Sequence, residues 1–250
     1  MVMKSFFVFG TSVFILLTMF LTKDTAQPAS GPRTPVLVEL FTSEGCSSCP
    51  PADKLLIELK EKQPVADAHV IALGQHVDYW NHDGWTDRFS SAQFTARQEQ
   101  YADRLNDGPY TPQMVVDGTI SVVGNDAEGV SRAIAKASAA AKPVQFDLSE
   151  SEGQVGVTAH GVANSPEVFF ALVEDDLESQ VKAGENDGVT LHHVAVARQL
   201  RSLGHASKDG WKAAVSIQLA SGQRKEKTQA LVFAQDANGR VLGVSTISLR

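Results

Sequence analysis

The two cysteines of this 250-residue chain, Cys46 and Cys49, stand three positions apart. Their surroundings constrain the fold more than any other stretch does. Ahead of them Val36-Leu37-Val38-Glu39-Leu40-Phe41 is an apolar, β-branched-rich run, the pattern of a buried strand. Behind them Pro50-Pro51-Ala52-Asp53-Lys54-Leu55-Leu56-Ile57-Glu58-Leu59 reads as a helix with prolines in its first turn. Strand, Cys-x-x-Cys, helix predicts Cys46 at a helix N-terminus, where unpaired N–H groups and the positive end of the helix dipole favour a thiolate. Only the thiolate attacks a disulfide, so the placement predicts a reactive cysteine.

Downstream, Tyr110-Thr111-Pro112-Gln113-Met114-Val115-Val116-Asp117-Gly118 reads as a Thr-Pro turn entering a strand that ends in a hairpin signal. It resembles the cis-proline loop and following hairpin of thioredoxin-like proteins, in which the proline packs beside the cysteine pair; X-Pro is the bond where a cis peptide costs least. Between these motifs the pattern predicts a strand over 69–75, then the stretch His76-Val77-Asp78-Tyr79-Trp80-Asn81-His82-Asp83-Gly84-Trp85, then a helix ending at Leu105. The stretch lies at the carboxyl end of a strand, where open α/β sheets place their ligand sites. Its aromatics are expected either to cover the sheet edge or to wall a substrate site, with His76 or Asp78 handling protons. A strand over 119–123 and a helix capped by Asp126 complete the first half.

At Lys142-Pro143 the pattern changes. Short strands over 144–148, 154–161, 168–174, 190–200, 211–219, 228–235 and 241–249, most of them separated by turn signals, predict a β-sandwich. Gly184-Glu185-Asn186-Asp187-Gly188 with Leu191-His192-His193 is the one stretch here that looks more than structural. Adjacent histidines on a strand point to opposite faces, so one is expected buried and the other solvated. The organisation expected is a signal peptide over 1–30, a thioredoxin-like α/β domain over 34–142 and an all-β, sandwich-like domain over 143–250.

The start of the chain supports the first of these. Met1-Val2-Met3-Lys4 gives a positive start, residues 5–21 are uncharged and mostly apolar, and residues 22–30 are small and polar. This reads as a secretory leader cleaved between Ala26 and Gly31, with an uncleaved membrane anchor as the alternative. No cysteine lies near the cleavage region to carry a lipid. The folded part is therefore expected in the periplasm or secreted, where a cysteine pair oxidises. The net charge of −7, without a basic stretch, argues against nucleic-acid binding.

Three readings of the cysteine pair stand. As a redox dithiol, Cys46 is the exposed attacking thiolate, Cys49 resolves the mixed disulfide, and Pro112 shapes a groove for an extended substrate backbone, with Thr111, Trp80, Tyr79 and His76 as substrate contacts. The partner is then another exported protein, and no cofactor is implied. As a static disulfide, the pair closes a loop too short to stabilise much through chain entropy. As half of a copper or zinc site, it needs further ligands, with His76 and His82 as candidates. Glu39, mid-strand in an apolar run, reads either as a proton acceptor for Cys49 or as facing an edge.

The run Val38 to Asp53, with His76-Val77-Asp78-Tyr79-Trp80 and Tyr110 to Gly118, resembles the DUF1223 family of exported bacterial proteins across roughly residues 34–250. The resemblance implies a thioredoxin-like fold and the Cys46/Cys49 pair, and supplies no substrate. Compared with ordinary thioredoxins, Gly45 replaces the tryptophan before the first cysteine, and Ser47-Ser48 replaces Gly-Pro.

Overall fold

The computed structural model describes residues 1–2, 32–208 and 210–250, so the expected leader and its cleavage lie outside the described residues. In chain order the first half runs β1 (Thr34–Thr42), α1 (Pro50–Lys62), β2 (Ala68–His76), α2 (Ala92–Leu105), β3 (Gln113–Val116), β4 (Ile120–Val123) and α3 (Ala127–Ser138). The second half runs β5 (Gln145–Ser151), β6 (Gln154–His160), β7 (Glu167–Glu174), β8 (Leu177–Gln180), β9 (Thr190–His193), β10 (Val196–His205), β11 (Trp211–Ser216), β12 (Thr228–Gln235) and β13 (Val241–Ser248).

The first-half elements fall where the sequence places them, for identifiable reasons. Prolines occupy the first turn of α1, and the Ser91 hydroxyl accepts the Gln93 N–H at the start of α2. The Asp126 carboxylate accepts the Gly129 N–H at the start of α3. Asp117 and Gly118, both at positive φ (49° and 71°), form the tight turn between β3 and β4. The Thr111–Pro112 peptide is cis.

The expected fold class needs correction. The chain is mostly β, and its centre is one eight-stranded mixed sheet in the order β13-β12-β7-β10-β2-β1-β3-β4. That sheet runs straight across the Lys142-Pro143 boundary, so the thioredoxin-like domain followed by a self-contained β-sandwich is not what forms. The junction is β10 beside β2, parallel, with Val196 opposite Gly74 and the Gly74 N–H donating to the Ala195 carbonyl at 2.8 Å. The physical reason lies in β2. In a free-standing first half it would be an edge strand, yet residues 70–76 are all buried. Left open, so apolar an edge would invite pairing with another chain; β10 closes it from within.

The far half of the sheet is covered on one side by a three-stranded sheet, β11-β6-β5. Val155, Val157 and Val215 from that sheet pack against Phe170, Leu172 and Val232 of the main sheet. Along β7 the alternation sends Phe170 and Leu172 into that interface, and Ala171 and Val173 to the opposite face and the main core. Sandwich-like packing therefore exists, but one of its layers is the continuation of the first-half sheet.

On the near half α1 and α3 cover one face, with Leu56, Leu59, Val130 and Ile134 against Val36, Val38 and Leu40. The other face carries α2, whose Tyr101 meets Phe41 and Val115. The two-stranded β8-β9 sheet is separate. The sequence pattern predicts one strand over 190–200; the structure breaks it at Val194-Ala195, with Ala195 at φ 49°. The break frees β9 from the main sheet and sets it against α1.

Candidate functional site

Cys46 and Cys49 form a disulfide, with Cα atoms 5.4 Å apart. Cys49 is the residue that caps α1, and Cys46 sits in the turn before it. The expected supply of unpaired N–H groups is missing. The first two helical positions are prolines, which carry no N–H, and the Ala52 and Asp53 N–H groups both donate to the Cys49 carbonyl. Nor is Cys46 exposed: both cysteines have 0% accessible surface, and Ser47 and Ser48 face solvent instead.

The enclosure is built from four directions. The Thr111 hydroxyl donates to Cys46 Sγ at 3.4 Å, and Ser48 Oγ lies 3.4 Å from the same sulfur. The Trp80 indole N–H donates to Thr111 Oγ1 at 2.7 Å, fixing that hydroxyl at the ring edge. A Cβ on Gly45 would stand 2.7 Å from the Trp80 carbonyl oxygen, so the chain before Cys46 passes too close to Trp80 for any side chain. The fourth wall comes from the second half. In the loop between β8 and β9, the Asn186 amide donates to the carbonyls of Glu44 (2.8 Å) and Cys46 (3.0 Å). In the same loop Glu185 Oε2 accepts the Ser47 N–H at 3.1 Å, and the Ser47 bonds hold its carboxyl below the ordinary value.

The predicted contacts are thus only partly brought together. Thr111, Pro112 and Trp80 gather at the pair, a Cβ on Gly124 falling 3.0 Å from Pro112 Cβ and 3.2 Å from Ala52 Cβ of α1. Tyr79 stays beside Thr111, whose side chain bonds to its hydroxyl, but that hydroxyl also donates to Gln98 Oε1 at 3.0 Å and the residue remains 42% exposed. His76 is buried and its Nδ1 lies 2.6 Å from Asp87 Oδ2. Asp78 is engaged by the Thr95 hydroxyl. His82 pairs with Asp83 at the surface. Among the described residues no group of three or more His, Cys, Asp or Glu is disposed to hold a metal ion. Glu39 is neither a proton acceptor for Cys49 nor on an edge: it lies fully buried against Arg97 on the α2 face.

The acidic residues on either side of the cysteine pair, Glu44 and Asp53, belong to a buried ionic cluster that sequence reasoning missed. His193, on β9 and 3% exposed, has Nε2 3.5 Å from Glu44 Oε1 and Nδ1 3.8 Å from Asp53 Oδ1. Its ring meets His76 edge-on at 4.8 Å and Phe89 at 5.9 Å. The Trp85 indole N–H donates to Glu44 Oε2, and the Thr42 hydroxyl donates to Asp53 Oδ2. Asp87 accepts the backbone N–H groups of Glu44 and Phe89. Burial opposes ionisation of Asp87, but His76 and these N–H groups hold its carboxyl below the ordinary value. Three signals were available: the acidic residue two before Cys46, the Asp53 of α1 that reads as a mere dipole partner, and the alternation that buries one of two histidines.

The cluster gives stability a pH dependence of definite sign. Burial lowers the His193 pKa, but the Asp53 and Glu44 carboxylates outweigh it and raise it to about 10. Unfolded, the imidazole titrates near ~6.5. Its contribution is therefore complete below pH ~6.5 and is lost as pH rises through about 10. The urea midpoint of the oxidised protein is expected to fall over that interval, and His193→Gln to flatten the fall. A wild-type midpoint that stays level to pH 10 contradicts this.

The family described as protein of unknown function (DUF1223) matches residues 37–235. Among solved structures, the protein AGR_C_4864 of Agrobacterium tumefaciens is similar at 27% identity with a TM-score of 0.72, over 87% of this chain and 96% of that one. HBP35 of Porphyromonas gingivalis is similar at 15% identity with a TM-score of 0.56, over 87% of this chain and 76% of that one. No curated protein matches the chain.

Proposed function

Since the chain belongs to the DUF1223 family, which carries no assigned activity, we propose its function from the site itself: a thiol–disulfide oxidoreductase acting on another exported protein. Cys46 is the nucleophile of the reduced pair and Cys49 the resolving thiol. One observation carries the reading: the disulfide spans the entry to α1 with two hydroxyl groups, from Thr111 and Ser48, placed on the Cys46 sulfur alone. A hydroxyl donating to one sulfur, as that of Thr111 does to Cys46, stabilises a thiolate there and leaves the other as the leaving and resolving group. The disulfide fits an oxidising compartment outside the cytosol, and the finer reading is periplasmic or secreted.

A second reading has its own support. Complete enclosure of both sulfurs is what a passive disulfide in a partner-binding module requires. Trapping separates the two. The Cys49→Ser variant, incubated with an oxidised model dithiol protein, is expected to accumulate a mixed disulfide through Cys46, and Cys46→Ser to accumulate far less. A wild-type pair that stays oxidised across a full dithiol series, with no adduct in either variant, leaves the passive reading.

A further inference from the structure

Reduction places negative charge inside an enclosed site, and the usual means of offsetting it is weak here. In the redox reading, on which this inference rests, a donor dithiol reduces the pair in two steps. One donor thiolate attacks Cys46 Sγ; the Cys46–Cys49 bond breaks and its electron pair stays on Cys49 Sγ. The donor's second thiolate then attacks the mixed disulfide. The donor leaves as a disulfide, Cys46 leaves as a thiolate, and the two donor protons pass to solvent or to the new thiols. At each step one buried sulfur carries a charge. A helix start normally answers with N–H groups, but α1 begins with two prolines and its next two N–H groups are already bound.

Around the pair the fixed charges are mostly of the wrong sign. Glu44 comes from the loop before Cys46, Asp53 from α1 one turn beyond Cys49, and Asp87 from the segment after β2, where it is paired with His76. Side chains four apart on a helix are neighbours, so Asp53 lies on the Cys49 side of α1. Against these carboxylates β9 delivers His193. Its two ring nitrogens and Glu44 Oε1 are buried without a hydrogen-bond partner. Burying such groups without hydrogen bonds is costly, and the attraction between a charged imidazole and the two carboxylates is what offsets it here.

We propose that His193 is a positioning residue for the redox pair: clamped between Glu44 and Asp53, it holds the two segments that flank the disulfide and supplies the positive charge that favours the reduced form. Its raised pKa keeps it cationic across the neutral range. A cation that stabilises the thiolate makes the disulfide the stronger oxidant. The hairpin of the second half is thereby part of the redox site and not a cover laid over it.

The test is the equilibrium of the full chain with reduced and oxidised glutathione, read by thiol trapping, for wild type, His193→Gln and His193→Lys. The Gln variant is expected to shift about tenfold toward the disulfide, and the Lys variant, which keeps the charge, to stay within about threefold of wild type. A purely structural role predicts equal shifts for both variants, or none, and either outcome overturns the inference. Should the variants fail to fold, the reduced wild type decides. Alkylation of Cys46 is expected to titrate well below the ~8.5 of a free thiol, and titration at or above that value overturns the proposal. A wild-type pair that no dithiol reduces brings down the redox reading and this inference together. A pair that exchanges normally while His193→Gln leaves its equilibrium unchanged brings down this inference alone.

Discussion

Arg97→Ala is expected to lower the free energy of unfolding by about 3–5 kcal/mol, the range for removing one partner of a buried ion pair. Glu39, fully buried on β1, accepts from Arg97 Nε at 2.6 Å and Nη2 at 3.0 Å, from the Tyr101 hydroxyl at 2.5 Å and from Gln75 at 2.8 Å. The guanidinium also lies 5.0–5.2 Å from the ring centroids of Tyr101, Phe169 and Phe233, and Gln235 bonds to both Arg97 and Tyr101. Without the arginine the carboxylate is left buried with neutral donors only. Glu39→Leu with Arg97→Met is expected to cost less than Arg97→Ala alone, because no uncompensated charge remains. Urea unfolding measures both; a loss below about 1 kcal/mol for Arg97→Ala refutes the assignment. Phe169, Phe233 and Gln235 belong to the second half, so the transition is expected to remain single.

Asn186→Ala is expected to speed reduction of the disulfide by dithiothreitol about 30- to 100-fold. Its amide makes two buried hydrogen bonds to the carbonyls on either side of Gly45, and the residue is 5% exposed. Losing both leaves the Glu44 carbonyl unsatisfied in the closed state and the Cys46 carbonyl with the Cys49 N–H alone, a cost of about 2–2.7 kcal/mol. An enclosed disulfide reacts through local opening, whose population rises by the same factor. The global free energy of unfolding is expected to fall by the same amount, because the unfolded chain, like the opened state, makes neither bond. A reduction rate within about threefold of wild type would show that access to the sulfurs does not run through the loop between β8 and β9.

Local patterns were readable from the residues; long-range closure was not. Caps, prolines and hairpin signals place β1 through α3 within about three residues, because each signal acts within four or five positions of the chain. The sheet order escaped because it depends on which strand fills the edge beside β2. The clue was present in Val70-Ile71-Ala72-Leu73, an apolar run too rich for an edge. The break at Ala195 has no sequence signal, since neither glycine nor proline marks it; tertiary packing sets it. Within the site, Thr111, Pro112 and Trp80 were legible from their motifs. Asn186, Glu185 and His193 meet Cys46, Ser47, and the flanking Glu44 and Asp53 across about 140 positions, a distance over which spacing carries no information. Glu39 illustrates the same limit: a buried acid announces that it needs a cation, but Arg97 is 58 residues away.

The parallel seam between β2 and β10 also orders events in time. The cysteines are synthesised some 140 residues before Asn186, so while the chain emerges the thiols stand open and any oxidant reaches them. Contacts of such sequence separation form late. Once β10 has docked on β2, the loop between β8 and β9 completes the enclosure, so the cysteines meet oxidants more freely before the second half folds than after it.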